Sequence, residues 1–188
     1  MIKVIPFNMV KIITEKIKSN LNGTIIDIET IGSFQDEYND SRRYKEIIPV
    51  IFGFIDTQTL NIICAKNKNS IEKLKLQIKE ILPQLKTPFY AFNSDFERGS
   101  LFHCLSIPIE FHGELNKEKF EAKWLAVKNL KIPNYDDPFN DNGRACMEAW
   151  IKGEINKAIA HNRSCLLKER DILLKRGPRK PDELRLVP

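Results

Sequence analysis

The positions of apolar residues along the chain predict a set of short strands. β-Branched and aromatic residues dominate several short runs, and turn formers such as Gly, Asn and Asp separate them. Two of these runs form a hairpin, because only Asp56–Thr59 lies between them. The predicted strands are Met1–Phe7 at a sheet edge, Gly23–Thr30, Ile47–Ile55, Leu60–Ala65, Pro88–Phe92 and Ile107–Phe111.

Between these runs, apolar residues recur at the spacing of an amphipathic helix. In Ile71–Leu82 the residues Ile71, Leu74 and Ile78 share one face, lysines line the other, and Pro83 ends the helix. The other predicted helices are Met9–Lys18, Asn93–Leu105, Asn116–Leu130, Arg144–Lys152 and Ile155–Lys175. The residues of Asn116–Leu130 expected to reach the core are Phe120, Trp124, Leu125 and Val127.

This order of elements predicts an α/β fold with a mixed β-sheet flanked by helices, antiparallel at the hairpin and parallel where helices cross over. We expect an N-terminal extension over 1–22, one folded domain over 23–175 and a basic tail over 176–188. The polar stretch Gly32–Lys45 is expected to be a mobile loop that either carries substrate contacts or is simply solvated. From Lys175 onward the chain has five basic and two acidic residues, so the tail either follows a phosphate backbone or is a disordered basic end.

Composition adds a class of partner to this picture. The 188 residues are 42% hydrophobic and 29% charged, as in a soluble globular protein. The net charge of +5 favours a polyanionic partner such as nucleic acid, although so small an excess also serves solubility alone. The four cysteines show no C-x-x-C zinc pattern, and scattered cysteines fit a reducing compartment. Without a signal peptide or an apolar stretch long enough to cross a bilayer, we expect a cytoplasmic protein with no membrane partner.

The strand Gly23–Thr30 carries the candidate chemistry. Asp27 and Glu29 are two positions apart, so their side chains leave the same face of the strand. Two neighbouring carboxylates repel each other, and a bound divalent cation removes that cost. Oxygen ligands at a strand end suit Mg²⁺ or Mn²⁺. The alternative is a strand that runs into a solvated acidic turn.

Three short motifs bear on the function of the chain. Asp27-Ile28-Glu29-Thr30, after an apolar strand, is similar to the first motif of the DEDD superfamily of 3′–5′ exonucleases. Phe92-Asn93-Ser94-Asp95-Phe96-Glu97 resembles the second motif, with Glu97 where the family usually has Asp. In the last helix, His161-Asn162-Arg163-Ser164-Cys165 resembles the third motif, with Cys165 at the position of its Asp. The resemblance extends from Gly23 to about Leu174.

The resemblance implies a ribonuclease-H-like fold and two-metal hydrolysis with Mg²⁺ or Mn²⁺. It implies that Asp27 bridges both cations, that Glu29 binds one of them and helps to orient the attacking water, and that Glu97 supports the second. His161 would orient or deprotonate the nucleophile. The residues implied in substrate binding are Thr30, Asn93 and Phe96. The implied function is that of a 3′–5′ exonuclease acting on DNA or RNA, at single-stranded 3′ ends.

Two of these positions have a purely structural alternative. Glu97 follows Ser94 by three residues, which is the spacing of a capping box at a helix start. The alternative for His161 is a polar residue on the rim of its helix.

Three outcomes are compatible with a thiol at position 165, since a thiol does not replace a carboxylate on Mg²⁺. Another acid takes the place of the missing one, or one metal site is weak and activity is low or Mn²⁺-dependent. In the third outcome the fold is retained for binding nucleic acid or a protein partner without catalysis. The acids considered as replacements are Glu169, one turn further along the helix, and Asp136, Asp137 and Asp141 on the preceding loop.

Overall fold

The computed structural model of the protein describes residues 10–119 and 121–188. Within these residues a six-stranded mixed sheet is flanked by five α-helices, which confirms the predicted α/β class. The strands are β1 (Val10–Lys16), β2 (Thr24–Ile31), β3 (Ile48–Ile55), β4 (Thr59–Ala65), β5 (Phe89–Ala91) and β6 (Gly113–Glu114). The helices are α1 (Ile71–Ile81), α2 (Ser94–Leu105), α3 (Lys123–Asn129), α4 (Gly143–Ile151) and α5 (Ile155–Arg176). None of these helices has the length and apolar character needed to cross a membrane.

Strand β2 occupies a central place in the sheet, whose order is β1-β4-β3-β2-β5-β6. It pairs antiparallel with β3 on one side and parallel with β5 on the other. The parallel part arises because α1 and α2 connect successive strands as crossovers. The strand is buried from Thr24 to Glu29, so packing as well as pairing holds it in place. Side chains at its end are therefore carried by the most constrained strand of the sheet.

Helix α5 lies close to β2 and β3, and a glycine makes this approach possible. Gly53 of β3 pairs with Asp27 of β2. A Cβ atom added to Gly53 would lie 2.1 Å from Asn162 Oδ1 of α5, well inside van der Waals contact. Because no side chain stands there, Asn162 can donate hydrogen bonds to the carbonyl and the carboxylate of Asp27.

The N-terminal segment forms a strand, so the helix predicted over Met9–Lys18 was wrong. Val10–Lys16 pairs antiparallel with β4 along its whole length. Its β-branched residues favour a strand, and the free edge of β4 supplies hydrogen-bond partners that are distant in sequence. Part of the predicted extension over 1–22 thus belongs to the sheet. The strand predicted over Met1–Phe7 lies outside the described residues.

The strand predicted over Ile107–Phe111 was also wrong, whereas the other strands predicted within the described residues agree with the structure to within one residue at each end. Pro108 has no N–H with which to join a ladder. Pairing with β5 begins only at Gly113, in β6.

Helix α3 is shorter than predicted and begins at Lys123. The segment before it is held by Glu121, which accepts hydrogen bonds from the Lys117 N–H and the Arg176 guanidinium. Of the residues expected in its core, Val127 is half-buried, Trp124 and Leu125 are exposed, and Phe120 lies outside the described residues.

The basic tail folds back onto the domain, so the alternative of a disordered end was wrong. The backbone of Arg179 exchanges two hydrogen bonds of 2.9 Å with Glu114 of β6. The guanidinium of Arg179 pairs with the carboxylates of Glu114 and Asp182. Further along, Arg185 pairs with Asp40 at 3.0 Å. These arginines stabilise the fold, which leaves less of the tail's charge for a phosphate backbone.

We expect Arg179→Met to lower the free energy of unfolding by about 3–5 kcal/mol, the usual cost of removing one partner of a buried ion pair. Glu114 is only 1% exposed and would keep its charge without a guanidinium beside it. Urea denaturation measures the loss. The double variant Arg179→Met/Glu114→Gln is the matched control, because it removes both charges and should recover much of the stability. A single variant as stable as the natural protein would contradict this role of the tail.

Candidate metal centre

One cleft brings the predicted site residues together. It has a volume of about 680 Å³ and is bordered by the end of β2, by α2 and by α5. The sequence-predicted residues that line it are Asp27, Glu29, Thr30, Asn93, Phe96, Glu97, His161 and Cys165. All three motifs therefore meet at a single space, although they are far apart in sequence.

Strand β2 presents Asp27 and Glu29 on one face, directed towards α5. Both side chains are almost buried, with 5% and 8% exposure. Asn162 Nδ2 donates a hydrogen bond of 2.6 Å to Asp27 Oδ2 and a longer one of 3.4 Å to Glu29 Oε1. One amide thus orients both carboxylates, and their burial excludes the alternative of a solvated acidic turn.

Helix α2 directs Glu97 into the same cluster. A capping box would require Glu97 to accept the Ser94 N–H, but that N–H and the Ser94 hydroxyl both donate to Glu114 Oε1, at 3.0 and 2.7 Å. Glu97 is consequently free of a capping role and is 4% exposed. Its Oε2 atom is buried without a hydrogen-bond partner among the described residues. Such an oxygen can accept a hydrogen bond or contact a cation.

Helix α5 supplies a further carboxylate through Glu169, which is fully buried. Of the four acids considered as replacements at the third motif, it is the one joined to Asp27, through the ammonium of Lys123. Lys123 Nζ lies 3.1 Å from Asp27 Oδ1 and 2.5 Å from Glu169 Oε1. Glu169 Oε2 has no hydrogen-bond partner among the described residues.

His161 faces the cluster and does not lie on an exposed rim, since it is only 2% exposed. Its Nδ1 atom is 2.7 Å from Asp137 Oδ1, and its Nε2 atom is 3.8 Å from Glu29 Oε1. Asp137 is held in turn by the buried ammonium of Lys168 at 2.7 Å. Cys165 Sγ lies 3.7 Å from His161 Nε2, so both side chains share one face of α5 as predicted. The Asp137 contact fixes the orientation of the ring.

Burial is the main cause of the pKa shifts of the acids in this cluster. It raises the pKa of Glu29 to about 7, where the charge of His161 opposes the rise and that of Asp27 adds to it. Burial, followed by the charge of Asp27, raises the pKa of Glu97 well above its usual range. Burial likewise raises the pKa of Glu169, against the pull of Lys123. Each of these shifts favours the protonated form of the carboxyl, and a bound cation would favour the ionised form.

Two aromatic side chains, Phe34 and Phe96, line the cleft, and Tyr44 packs against both. Phe34, Tyr44 and Phe96 pack edge to face, with ring centroids 5.9 to 6.1 Å apart. Phe34 is 47% exposed, and the guanidinium of Arg43 lies 5.3 Å from its ring centroid. Exposed aromatic faces beside a guanidinium suit the stacking of nucleobases.

The donor set fits a hard divalent cation. Among the described residues, Asp27 and Glu29 form a group with Cys165 in which the possible ligand atoms lie within 4.8 Å of one another. Glu97 and Glu169 belong to no such group, but both carry buried oxygens that lack a hydrogen-bond partner among the described residues. Carboxylate oxygens are the ligands that Mg²⁺ and Mn²⁺ prefer, and their negative charge exceeds that of the single ammonium among them. Cys165 is a soft thiol whose pKa burial raises well above its usual range, so it does not add a ligand for Mg²⁺.

Several residues of the site escaped the sequence reasoning. Lys123 and Glu114 belong to segments without a motif, and nothing local distinguishes them from surface charges. Asn162 and Asp137 had weak signals: Asn162 directly follows His161, and Asp137 was considered only as a replacement ligand. In the structure Asp137 positions His161 instead.

In the metal-free protein, we expect stability to fall as the pH rises from about 4.5 to about 7. In this window the unfolded chain has released the Glu29 proton, whose ordinary pKa is 4.5, while the folded chain, with a pKa of about 7, retains it. Unfolding therefore releases a proton and is favoured by rising pH, by up to about 3 kcal/mol. His161 acts in the same direction, because Glu29 and Asp137 outweigh burial and raise its pKa.

Melting temperatures measured with chelator across this range test the prediction. Glu29→Gln should flatten the pH dependence, and added Mg²⁺ should restore stability at pH 8. Glu80→Gln, on the exposed face of α1, is the matched control and should leave the profile unchanged. A melting temperature that rises steadily through the same window would contradict the protonation described above.

The comparisons with known proteins leave the resemblance untested. Comparison with protein-family models, with curated proteins and with solved structures finds no match for the chain. The resemblance to the DEDD exonucleases accordingly stays a prediction, carried by the three motifs and by the cleft at which they meet.

Proposed function

We propose that this protein is a 3′–5′ exonuclease that hydrolyses phosphodiester bonds with Mg²⁺ or Mn²⁺. One observation carries the proposal: the carboxylates of Asp27, Glu29 and Glu97, from β2 and α2, line one cleft, and Glu169 of α5 lies buried behind them against Lys123. A protein keeps so much buried negative charge in one place when a cation is bound there. The replacement of the third-motif Asp by a thiol is offset by Glu169, one turn further along α5.

The sheet supports the same proposal. Its five strands from β2 to β6 have the order β4-β3-β2-β5-β6, with the first three antiparallel and the last two parallel to β2. This is the arrangement of a ribonuclease-H-like sheet, to which β1 adds an edge. In that arrangement the catalytic carboxylates lie on the central strand, as Asp27 and Glu29 do.

In this mechanism, Asp27 and Glu29 would hold the cation, and Glu97 lies on the other side of Asp27. A bound Mg²⁺ or Mn²⁺ supplies the positive charge that stabilises the phosphate under attack and acidifies water. His161 accepts the proton of the attacking water at Nε2, which the Asp137 contact at Nδ1 turns towards Glu29. The new bond joins the water oxygen to phosphorus, and the bond to the 3′ oxygen of the preceding nucleotide breaks. Phe34 and Phe96 stack on the terminal bases.

The substrate in this proposal is a single-stranded 3′ end of DNA or RNA, with Thr30 and Asn93 beside it in the cleft. An unpaired end leaves its bases free to stack on the aromatic side chains of the cleft, which a duplex does not. A cytoplasmic location belongs to the same proposal, because all four cysteines are free and scattered.

One observation favours a second candidate function, a nucleic-acid-binding module that has lost catalysis on the same fold. The ammonium of Lys123 already neutralises charge on Asp27 and Glu169. If Lys123 balances the negative charge of the cleft in this way, the aromatic side chains of the cleft can still stack on a nucleic acid. Turnover separates the two candidates, since the module binds an oligonucleotide without shortening it.

We expect Mn²⁺-dependent shortening of a single-stranded oligonucleotide from its 3′ end, abolished by chelator. A 5′ label should give a ladder of shortened products, while a 3′ label should be released as a mononucleotide. Asp27→Asn should reduce the rate by at least about 100-fold, the scale on which metal-site groups act. Glu80→Gln serves as the matched control and should retain full activity. Binding without shortening under every metal condition would favour the module instead.

We expect Cys165→Asp to increase metal affinity and hydrolysis, because position 165 faces His161, Asp27 and Glu29. In chelator the same substitution should lower the melting temperature, since a further carboxylate then crowds a site without a cation. Oligonucleotide turnover and melting with and without Mg²⁺ measure the two effects. If neither rate nor Mg²⁺-dependent stabilisation increases, α5 does not correspond to the third motif.

A further inference from the structure

The carboxylates of the site divide into two groups around Asp27. We call Asp27 Oδ1, Glu97 and Glu169 the glutamate side, and Asp27 Oδ2, Glu29 and His161 the histidine side. On the histidine side the nearest hydrogen-bond donor to the carboxylates is the uncharged amide of Asn162. On the glutamate side a full positive charge, the ammonium of Lys123, bridges two of the carboxylates.

We infer that Lys123 fills one of the two cation positions with its own ammonium, so that the protein binds a single divalent cation, on the histidine side. The inference rests on the proposed metal-dependent function and specifies its stoichiometry. It follows from where Nζ lies: 3.1 Å from Asp27 Oδ1 and 2.5 Å from Glu169 Oε1. A cation that used the same two oxygens would have to displace the ammonium, because two positive charges repel strongly at such spacing.

The surroundings of Lys123 hold the ammonium in this position. The side chain is only 17% exposed, so its ammonium lies within the cluster and not in solvent. The ring of Phe92 lies below it, with Nζ 5.6 Å from the ring centroid, close enough for a cation–π contact. The Lys123 backbone begins α3, which contacts α5, the helix that carries Glu169. Carboxylates on one side and an aromatic face on the other thus define a site for a fixed positive charge.

The remaining charges leave room for one divalent cation on the histidine side. Glu29 has no cationic side chain at hydrogen-bond distance among the described residues, and His161 Nε2 is 3.8 Å away. His161 is itself committed to Asp137 through its other nitrogen, at 2.7 Å. Asp27 Oδ2 and Glu29 therefore keep negative charge that Lys123 does not neutralise.

An ammonium in the second position also has a chemical consequence. It is a compact point charge with three N–H donors, of which one donates to Asp27 Oδ1, and it forms an ion pair with Glu169. A remaining N–H can donate a hydrogen bond to the 3′ oxygen as negative charge develops on it during bond cleavage. Lys123 then provides from the chain itself the leaving-group stabilisation that a second metal ion provides elsewhere.

Counting bound Mn²⁺ tests the inference directly, by electron paramagnetic resonance and calorimetry on the full chain. We expect one Mn²⁺ per natural chain. Lys123→Met should raise this to two, because the glutamate side then lacks its cation. Lys128→Met, an exposed lysine on the same helix, is the matched control and should bind one.

A second readout guards against misfolding of the single variant. In chelator Lys123→Met should melt at a lower temperature, and Mn²⁺ should stabilise it more than it stabilises the natural protein. The double variant Lys123→Met/Glu169→Gln removes the ammonium with one of its partners, so it should fold in chelator and bind one Mn²⁺.

Two results overturn the inference alone: two Mn²⁺ bound by the natural chain, or one Mn²⁺ bound by a folded Lys123→Met variant. If no variant binds Mn²⁺ at all, the proposed metal-dependent function fails together with the inference. The two failures are thereby distinguished.

Discussion

The repulsion between four buried carboxylates is the constraint on which the rest of this site depends. Asp27, Glu29, Glu97 and Glu169 are all excluded from water, and such charges are tolerated only when protonated, paired or bound to a cation. Among the described residues, one ammonium, that of Lys123, pairs with two of the four, so the charge pairing is incomplete. The raised pKa values of Glu29, Glu97 and Glu169 reflect their burial with too little positive charge nearby. A divalent cation is the simplest group that supplies this charge.

One helix explains how the site keeps an acid despite the loss of the expected one. His161, Cys165 and Glu169 are spaced by four positions along α5, so they project from nearly the same face, one turn after another. An acid moved by one turn still faces Asp27, but it lies deeper in the protein and is completely buried. A lysine lies beside Glu169, as this depth requires, because a fully buried carboxylate needs a nearby positive charge more than a half-exposed one does.

The parts of this arrangement that could be predicted are those governed by local periodicity. Alternating residues placed Asp27 and Glu29 on one face of β2, and helical spacing placed His161 and Cys165 on one face of α5. β1 and Lys123 could not be predicted in this way. The edge of β4 decides the structure of β1, and Lys123 acquires its role only because α3 packs beside α5. The role of Glu97 was also ambiguous from the sequence, because Glu114, the residue that accepts the Ser94 N–H instead of Glu97, comes from β6.

Glu114 links the end of the chain to the site. Arg179 in the tail pairs with Glu114, and Glu114 in turn accepts the N–H and the hydroxyl of Ser94 at the start of α2. Because Glu114 satisfies the helix terminus, Glu97 on the first turn of α2 is released to face Asp27. The buried carboxylate of Glu114 is favourable beside the start of α2 only when both of its oxygens are paired. The guanidinium of Arg179 pairs with the second oxygen. The basic tail therefore supports the acidic cluster through two intermediate residues, and its positive charge is part of the charge balance of the fold.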